Sequence, residues 1–148
     1  MARRNRVPGS GRRLGQQPPR YRFFLNPYPD VRFTTCPQCG DKTRVRKLPL
    51  VIHIDPMQLV ALNKTCRYCP SCDLLIAHRD ELEAWLAAFF GQQKPEVVGN
   101  DYLVVGTEDR ATWHRGTRTP RPVQELLAGL HDFAAVVRFE PAARWRPA

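Results

Sequence analysis

No apolar run in this 148-residue chain approaches the roughly 20 residues that a membrane-spanning helix needs. The arginine-rich beginning also has no hydrophobic segment of the kind a secretory signal requires. Acidic residues are missing from positions 1–22, which hold seven arginines: Arg3, Arg4, Arg6, Arg12, Arg13, Arg20 and Arg22. The other 16 basic and 14 acidic side chains nearly cancel, so the net charge of +9 belongs mostly to this stretch. Its Gly, Pro and Gln content argues against a packed structure, and residues 1–22 are expected to form a disordered tail. Also missing are a glycine-rich phosphate loop, paired carboxylates in a motif and a nucleophile elbow. His53, His78, His114 and His131 stand in no recognisable catalytic motif. These absences give no reason to assert an enzyme. There is no internal repeat.

What the chain does have is five cysteines gathered into two groups, Cys36-Pro37-Gln38-Cys39-Gly40 and Cys66-Arg67-Tyr68-Cys69-Pro70-Ser71-Cys72. An odd number of cysteines at metal-type spacing points to a reducing, cytoplasmic setting rather than to a disulfide framework. Two C-x-x-C turns supply the four soft, deprotonated ligands of a tetrahedral structural zinc site. Backbone chemistry selects the second pair. In the first turn a proline follows the first ligand and a glycine follows the second, where positive φ is often required. Cys69-Pro70-Ser71-Cys72-Asp73 repeats that layout, and Asp is among the few residues that tolerate the left-handed region. Pairing Cys66 with Cys69 would instead put Pro70 after the second ligand, with φ locked negative and no N–H for a thiolate. The expected metal ligands are therefore Cys36, Cys39, Cys69 and Cys72. Cys66 is left over, as a buried cysteine, an alternative ligand or a free thiol.

These turns resemble the knuckles of the zinc-ribbon family, in which C-P-x-C type turns at the ends of β-hairpins hold one structural metal ion. The resemblance covers residues 33–78. It implies one Zn²⁺ and a hairpin fold, and it does not specify a role, because such ribbons serve in transcription, translation, DNA processing and as inserts in enzymes. The apolar stretch after Cys72 reads as a strand, which favours a ribbon over an arrangement with the second pair on a helix.

The rest of the chain supplies an α+β fold of one domain over residues 23–140, in which zinc-ribbon hairpins pack with an amphipathic helix and a small C-terminal α/β unit. Hydrophobic residues make up 43% of the sequence, enough for a core. Leu48–Ile54 reads as a strand in which Pro49 marks an edge or a bulge. Residues 80–90 carry Leu82, Trp85, Leu86, Phe89 and Phe90 on one helical face, with Asp80 the expected cap and Gly91 the stop. Over 101–140, Tyr102–Gly106 reads as a strand, Pro122–Leu130 as a helix, and Phe133–Phe139 as a second strand beside the first. Arg115, Arg118 and Arg121 mark a basic loop.

Two functional classes fit. In a binding module, nucleic acid or a protein complex would be contacted by the arginine tail and by Lys42, Arg44 and Arg46 on one face of a strand, with Arg67 nearby. Those same cations would also offset the net negative charge of four thiolates on Zn²⁺. In the alternative class, a zinc-stabilised enzyme, Cys66 would sit in a small pocket as a nucleophile.

Overall fold

The computed structural model describes residues 14–111, 113 and 123–140. The basic loop at Arg115–Arg121, His114, Trp145 and the first 13 residues lie outside these. A single sheet dominates, built from β1 (Arg22–Asn26), β2 (Arg44–Ile54), β3 (Gln58–Cys69), β4 (Leu74–His78), β5 (Tyr102–Glu108), β6 (Leu130–Asp132) and β7 (Ala135–Val136). Helices α1 (Arg79–Phe90) and α2 (Val123–Gly129) accompany it. No described helix is long and apolar enough to cross a membrane.

The strand order is β6-β5-β2-β3-β4-β1-β7. Neighbours from β6 to β4 run antiparallel, whereas β1 lies parallel to both β4 and β7. The two outermost strands are separated by only Phe133 and Ala134 in the chain, so the sheet must curl until its edges approach. Backbone bonds join them there: Phe133 N–H donates to Val105, Ala134 N–H to Tyr21, and Arg20 N–H to Asp132.

Period-2 alternation puts Leu48, Leu50 and Ile52 of β2, Leu62 and Cys66 of β3, Leu75 and Ala77 of β4 and Phe23 of β1 into one buried cluster inside the curl. Phe23 stacks on Phe133 with ring centroids 4.3 Å apart. Leu82, Leu86 and Phe90 of α1 complete this cluster. A second cluster on the opposite face gathers Phe24, Phe33, Leu74 and Ile76 around Cys36 and Cys69. In a third, Val51, Val105 and Leu130 pack with Leu127 of α2.

Several expectations need correction. The segment expected to be one strand over Phe133–Phe139 beside Tyr102–Gly106 is instead divided. Residues 130–132 pair with β5, while 135–136 cross to β1 at the other end of the sheet. The C-terminal elements therefore complete the main sheet rather than forming their own unit. Helix α1 begins at Arg79 with His78 as its N-cap, because β4 runs into it without a loop, and Asp80 is held by the Arg32 guanidinium at 2.8 and 3.2 Å. Residues 14–22, grouped with the tail on composition, are bonded to the body. The Leu14 and Gly15 N–H groups donate to the Asp132 carboxylate, and those of Gln16 and Gln17 to the carbonyls of Leu127 and Leu130. Pro49 does lie where β2 lacks a β5 neighbour: pairing with β5 starts at Leu50, beside an irregularity between Val51 and Ile52.

Candidate metal centre

The first turn hangs from a short bridge between Thr35 and Lys42. Inside it, Cys36 N–H donates to the Asp41 carbonyl and Gly40 N–H returns to the Cys36 carbonyl. The second turn joins the end of β3 to the start of β4. Both reverse direction through the left-handed region, at Gly40 (φ 84°) and at Asp73 (φ 52°). Asp73 gains a partner there, since the Tyr68 hydroxyl donates to its carboxylate at 2.7 Å. A 2.7 Å bond from Ser71 Oγ to the Asp41 carboxylate ties the two turns together.

The Sγ atoms of Cys36, Cys39, Cys69 and Cys72 all lie within 4.8 Å of one another. Cys36 and Cys72 are 3.9 Å apart and Cys39 and Cys69 are 3.6 Å apart. A tetrahedron with Zn–S bonds of about 2.3 Å has edges of about 3.8 Å, whereas a disulfide needs about 2.05 Å. The arrangement thus fits a metal ion and not a pair of cross-links. Each first-turn sulfur accepts a backbone N–H, Cys36 from Gln38 and Cys39 from Asp41, both at 3.4 Å. Such donors favour the thiolate.

Ionisation in the cluster is uneven. Burial works against the Cys36 thiolate, but the N–H groups of Cys39 and Gln38 and the adjoining sulfurs hold it below its ordinary value. At Cys39 the Asp41 N–H favours the thiolate, yet burial and the sulfurs of Cys69, Cys72 and Cys36 outweigh it and push the thiol up to about 12. Burial also raises Cys72. Four sulfurs this close cannot all carry charge without a cation among them, and a divalent ion supplies that compensation.

Cys66 stands apart from this group. It is 1% exposed inside the curl, its Sγ faces the Lys64 carbonyl at 3.6 Å, and burial pushes its thiol up to about 12. A cavity of about 310 Å³ does reach it, lined also by Arg32, Val45, Arg67, His78 and Glu81. A thiol held protonated at neutral pH is a poor nucleophile.

The four basic candidates separate. Lys42 lies in the first turn, not in β2, and is exposed, as is Arg44 at the start of that strand. Arg46 shares the face of Arg44 but stacks on the Tyr68 ring at 4.1 Å and donates to the Tyr21 hydroxyl. Arg67 pairs opposite Val45, on the other face, and donates to both Thr43 Oγ1 and the Thr43 carbonyl.

Sequence reasoning missed Lys64, which is buried at 7% exposure and bonded to Glu81 on α1 at 2.9 Å. The alternation through Leu62, Cys66 and Tyr68 was the available signal, for it sends Lys64 inward. No protein-family model, curated protein or solved structure matches the chain.

Proposed function

We propose that this protein is a zinc-stabilised binding module. Cys36, Cys39, Cys69 and Cys72 hold one structural Zn²⁺, the two turns act as zinc-ribbon knuckles, and the basic surface beside them contacts nucleic acid. The observation that carries the reading is the approach of four Sγ atoms to within 4.8 Å of one another from two turns of matching backbone conformation. The five arginines of residues 1–13, with exposed Lys42 and Arg44, support a phosphate-backbone partner. Arg46 and Arg67, engaged with Tyr21, Tyr68 and Thr43, contribute as fixed charges.

A protein complex is the second reading. It is favoured by Trp85 and Phe89, which stack on each other 40% and 37% exposed on the outward side of α1. The burial of Cys66 weighs against the alternative of a thiol enzyme. A reducing compartment suits the thiolate ligands, in keeping with a cytoplasmic protein.

The test is zinc content per chain in protein purified without chelator, beside Cys66→Ser and Cys72→Ser variants. The expected result is one zinc per chain, retained in Cys66→Ser and lost in Cys72→Ser. Loss from Cys66→Ser alone would overturn the ligand set, and a folded, metal-free wild type would overturn the zinc reading.

A further inference from the structure

Strands β2 and β5 part company at Leu50 and Thr107, the last pair of their ladder. A cavity of about 260 Å³ lies in the gap, lined by Arg46 and Leu48 of β2, by the segment Thr107–Arg110, and by Arg20 and Tyr21. We infer that this cavity is a binding site for a phosphate group, held by the guanidinium groups of Arg20 and Arg46. The inference shares Arg46 with the proposed nucleic-acid surface and otherwise rests on different residues.

The two guanidiniums converge on a single atom. Arg20 Nη2 donates to the Tyr21 hydroxyl oxygen at 3.0 Å, and Arg46 Nη1 donates to the same oxygen at 3.2 Å. Each head is also laid over an aromatic ring, Arg20 over Tyr21 at 4.7 Å and Arg46 over Tyr68 at 4.1 Å, and the two rings meet edge to face at 5.7 Å. Bringing like charges to a common acceptor costs free energy unless something anionic offsets it. Among the described residues Arg46 has no carboxylate within ion-pair distance. Within that same described set Arg20 reaches only Asp109, at 3.8 Å, and His131 approaches that carboxylate at 3.4 Å.

The chain accepts strain to hold this arrangement. Tyr21, a buried aromatic residue, has φ 68°, in the left-handed region that bulky side chains avoid. Such outliers persist where the surroundings over-determine them, and they cluster at ligand sites. Arg110 adds a third cation to the wall. Among the described residues the acids lining it are Asp109, already engaged, and Glu108, which is buried and has a partner of its own.

Size and shape choose the ligand class. The volume falls below the ~300–1,000 Å³ usual for whole small-molecule sites, which suits a headgroup. Two guanidiniums approaching from different elements, each with N–H groups to spare, suit a tetrahedral oxyanion better than a planar carboxylate, which one arginine alone can satisfy.

The experiment is calorimetric titration of the full zinc-loaded chain with inorganic phosphate at ionic strength held constant with chloride. Wild type is expected to bind saturably, Arg20→Gln and Arg46→Gln each to weaken binding at least tenfold, and Lys47→Gln, on the opposite face of β2, to leave it unchanged. Arg20 is half exposed, so its variant keeps the test open if Arg46→Gln misfolds. Absence of saturable binding, an equal loss in Lys47→Gln, or equally tight binding of acetate would overturn the site. Competition by a nucleoside 5′-monophosphate and by a dinucleotide with only an internal diester then distinguishes the source: a terminal ester, a backbone phosphate, or, if neither outcompetes it, the free ion. Failure of salt-sensitive nucleic-acid binding elsewhere on the chain would leave this titration standing, and the reverse also holds.

Discussion

Gly40 and Asp73 decide at the scale of one backbone angle whether the two pairs of sulfurs face each other. A Cβ added at Gly40 would meet nothing within 4 Å, so the position demands glycine for its φ of 84° alone. Gly40→Ala is expected to destabilise the zinc-loaded protein by roughly 1–2 kcal/mol, read as a lower denaturant midpoint at unchanged zinc content. His78 gives a second prediction. It is buried at the head of α1, its Nδ1 lies 3.0 Å from Asn26 Nδ2, and burial followed by the Arg32 charge lowers its pKa below the ordinary 6.5. The amide N–H donates, so the ring nitrogen accepts and the imidazole is neutral in the fold. The unfolded chain binds the proton more readily, so this contribution is complete above about pH 6.5 and is lost as pH falls through the lower, folded value. Stability measured from pH 7.5 to 5 should therefore fall more steeply in wild type than in His78→Gln. Metal content followed in both proteins at each pH separates any loss of metal from the contribution of the histidine.

Among the elements, α1 separates core from surface most clearly. Leu82 is fully buried, and Leu82→Ala should cost about 2–5 kcal/mol in chemical denaturation. Trp85→Ala should stay within about 1 kcal/mol, since that ring leans on Phe89 and solvent rather than on the core. The 3.6-residue period made this helix legible but placed all five large residues on one face, whereas only Leu82, Leu86 and Phe90 are buried. The arc is wider than the surface available to cover it. The two turns were legible down to the sign of φ at Gly40 and Asp73, because local rules of proline, glycine and aspartate govern them. The pairing of β6 and β7 was not, because it depends on partners about 25 and more than 100 residues away. Gly106 carried a trace of it: an added Cβ would come within 2.1 Å of the His131 carbonyl, a close approach that only glycine allows. The Asp132 clamp on Leu14 and Gly15 was equally hidden, since composition shows polarity and not the carboxylate waiting across the fold.

For the molecule as a whole, basic charge is concentrated early in the sequence. Positions 1–13 contribute five arginines and no acid, and among the described residues Leu14 and Gly15 are bonded to Asp132. Deleting residues 1–13 should leave zinc content and thermal unfolding unchanged. It should lower the slope of log K against log salt for duplex DNA by about 0.9 for each arginine that meets a phosphate. An unchanged slope would assign the binding to the body, and a salt-independent affinity would remove the nucleic-acid reading in favour of a protein partner.

The strip from Leu130 to Val136 closes the curled sheet from both sides, adding β6 to β5 and β7 to β1. During synthesis both cysteine turns leave the ribosome long before this strip does, so the metal site can assemble on a sheet whose two borders are still bare. Until the strip arrives, β5 and β1 each present an unpaired backbone edge, the template on which chains join one another. A stalled or clipped product ending before residue 130 would keep all four clustered cysteines but lack Val137 and Phe139, which pack against the cluster around Cys36 and Cys69, and would leave both sheet edges open to self-association.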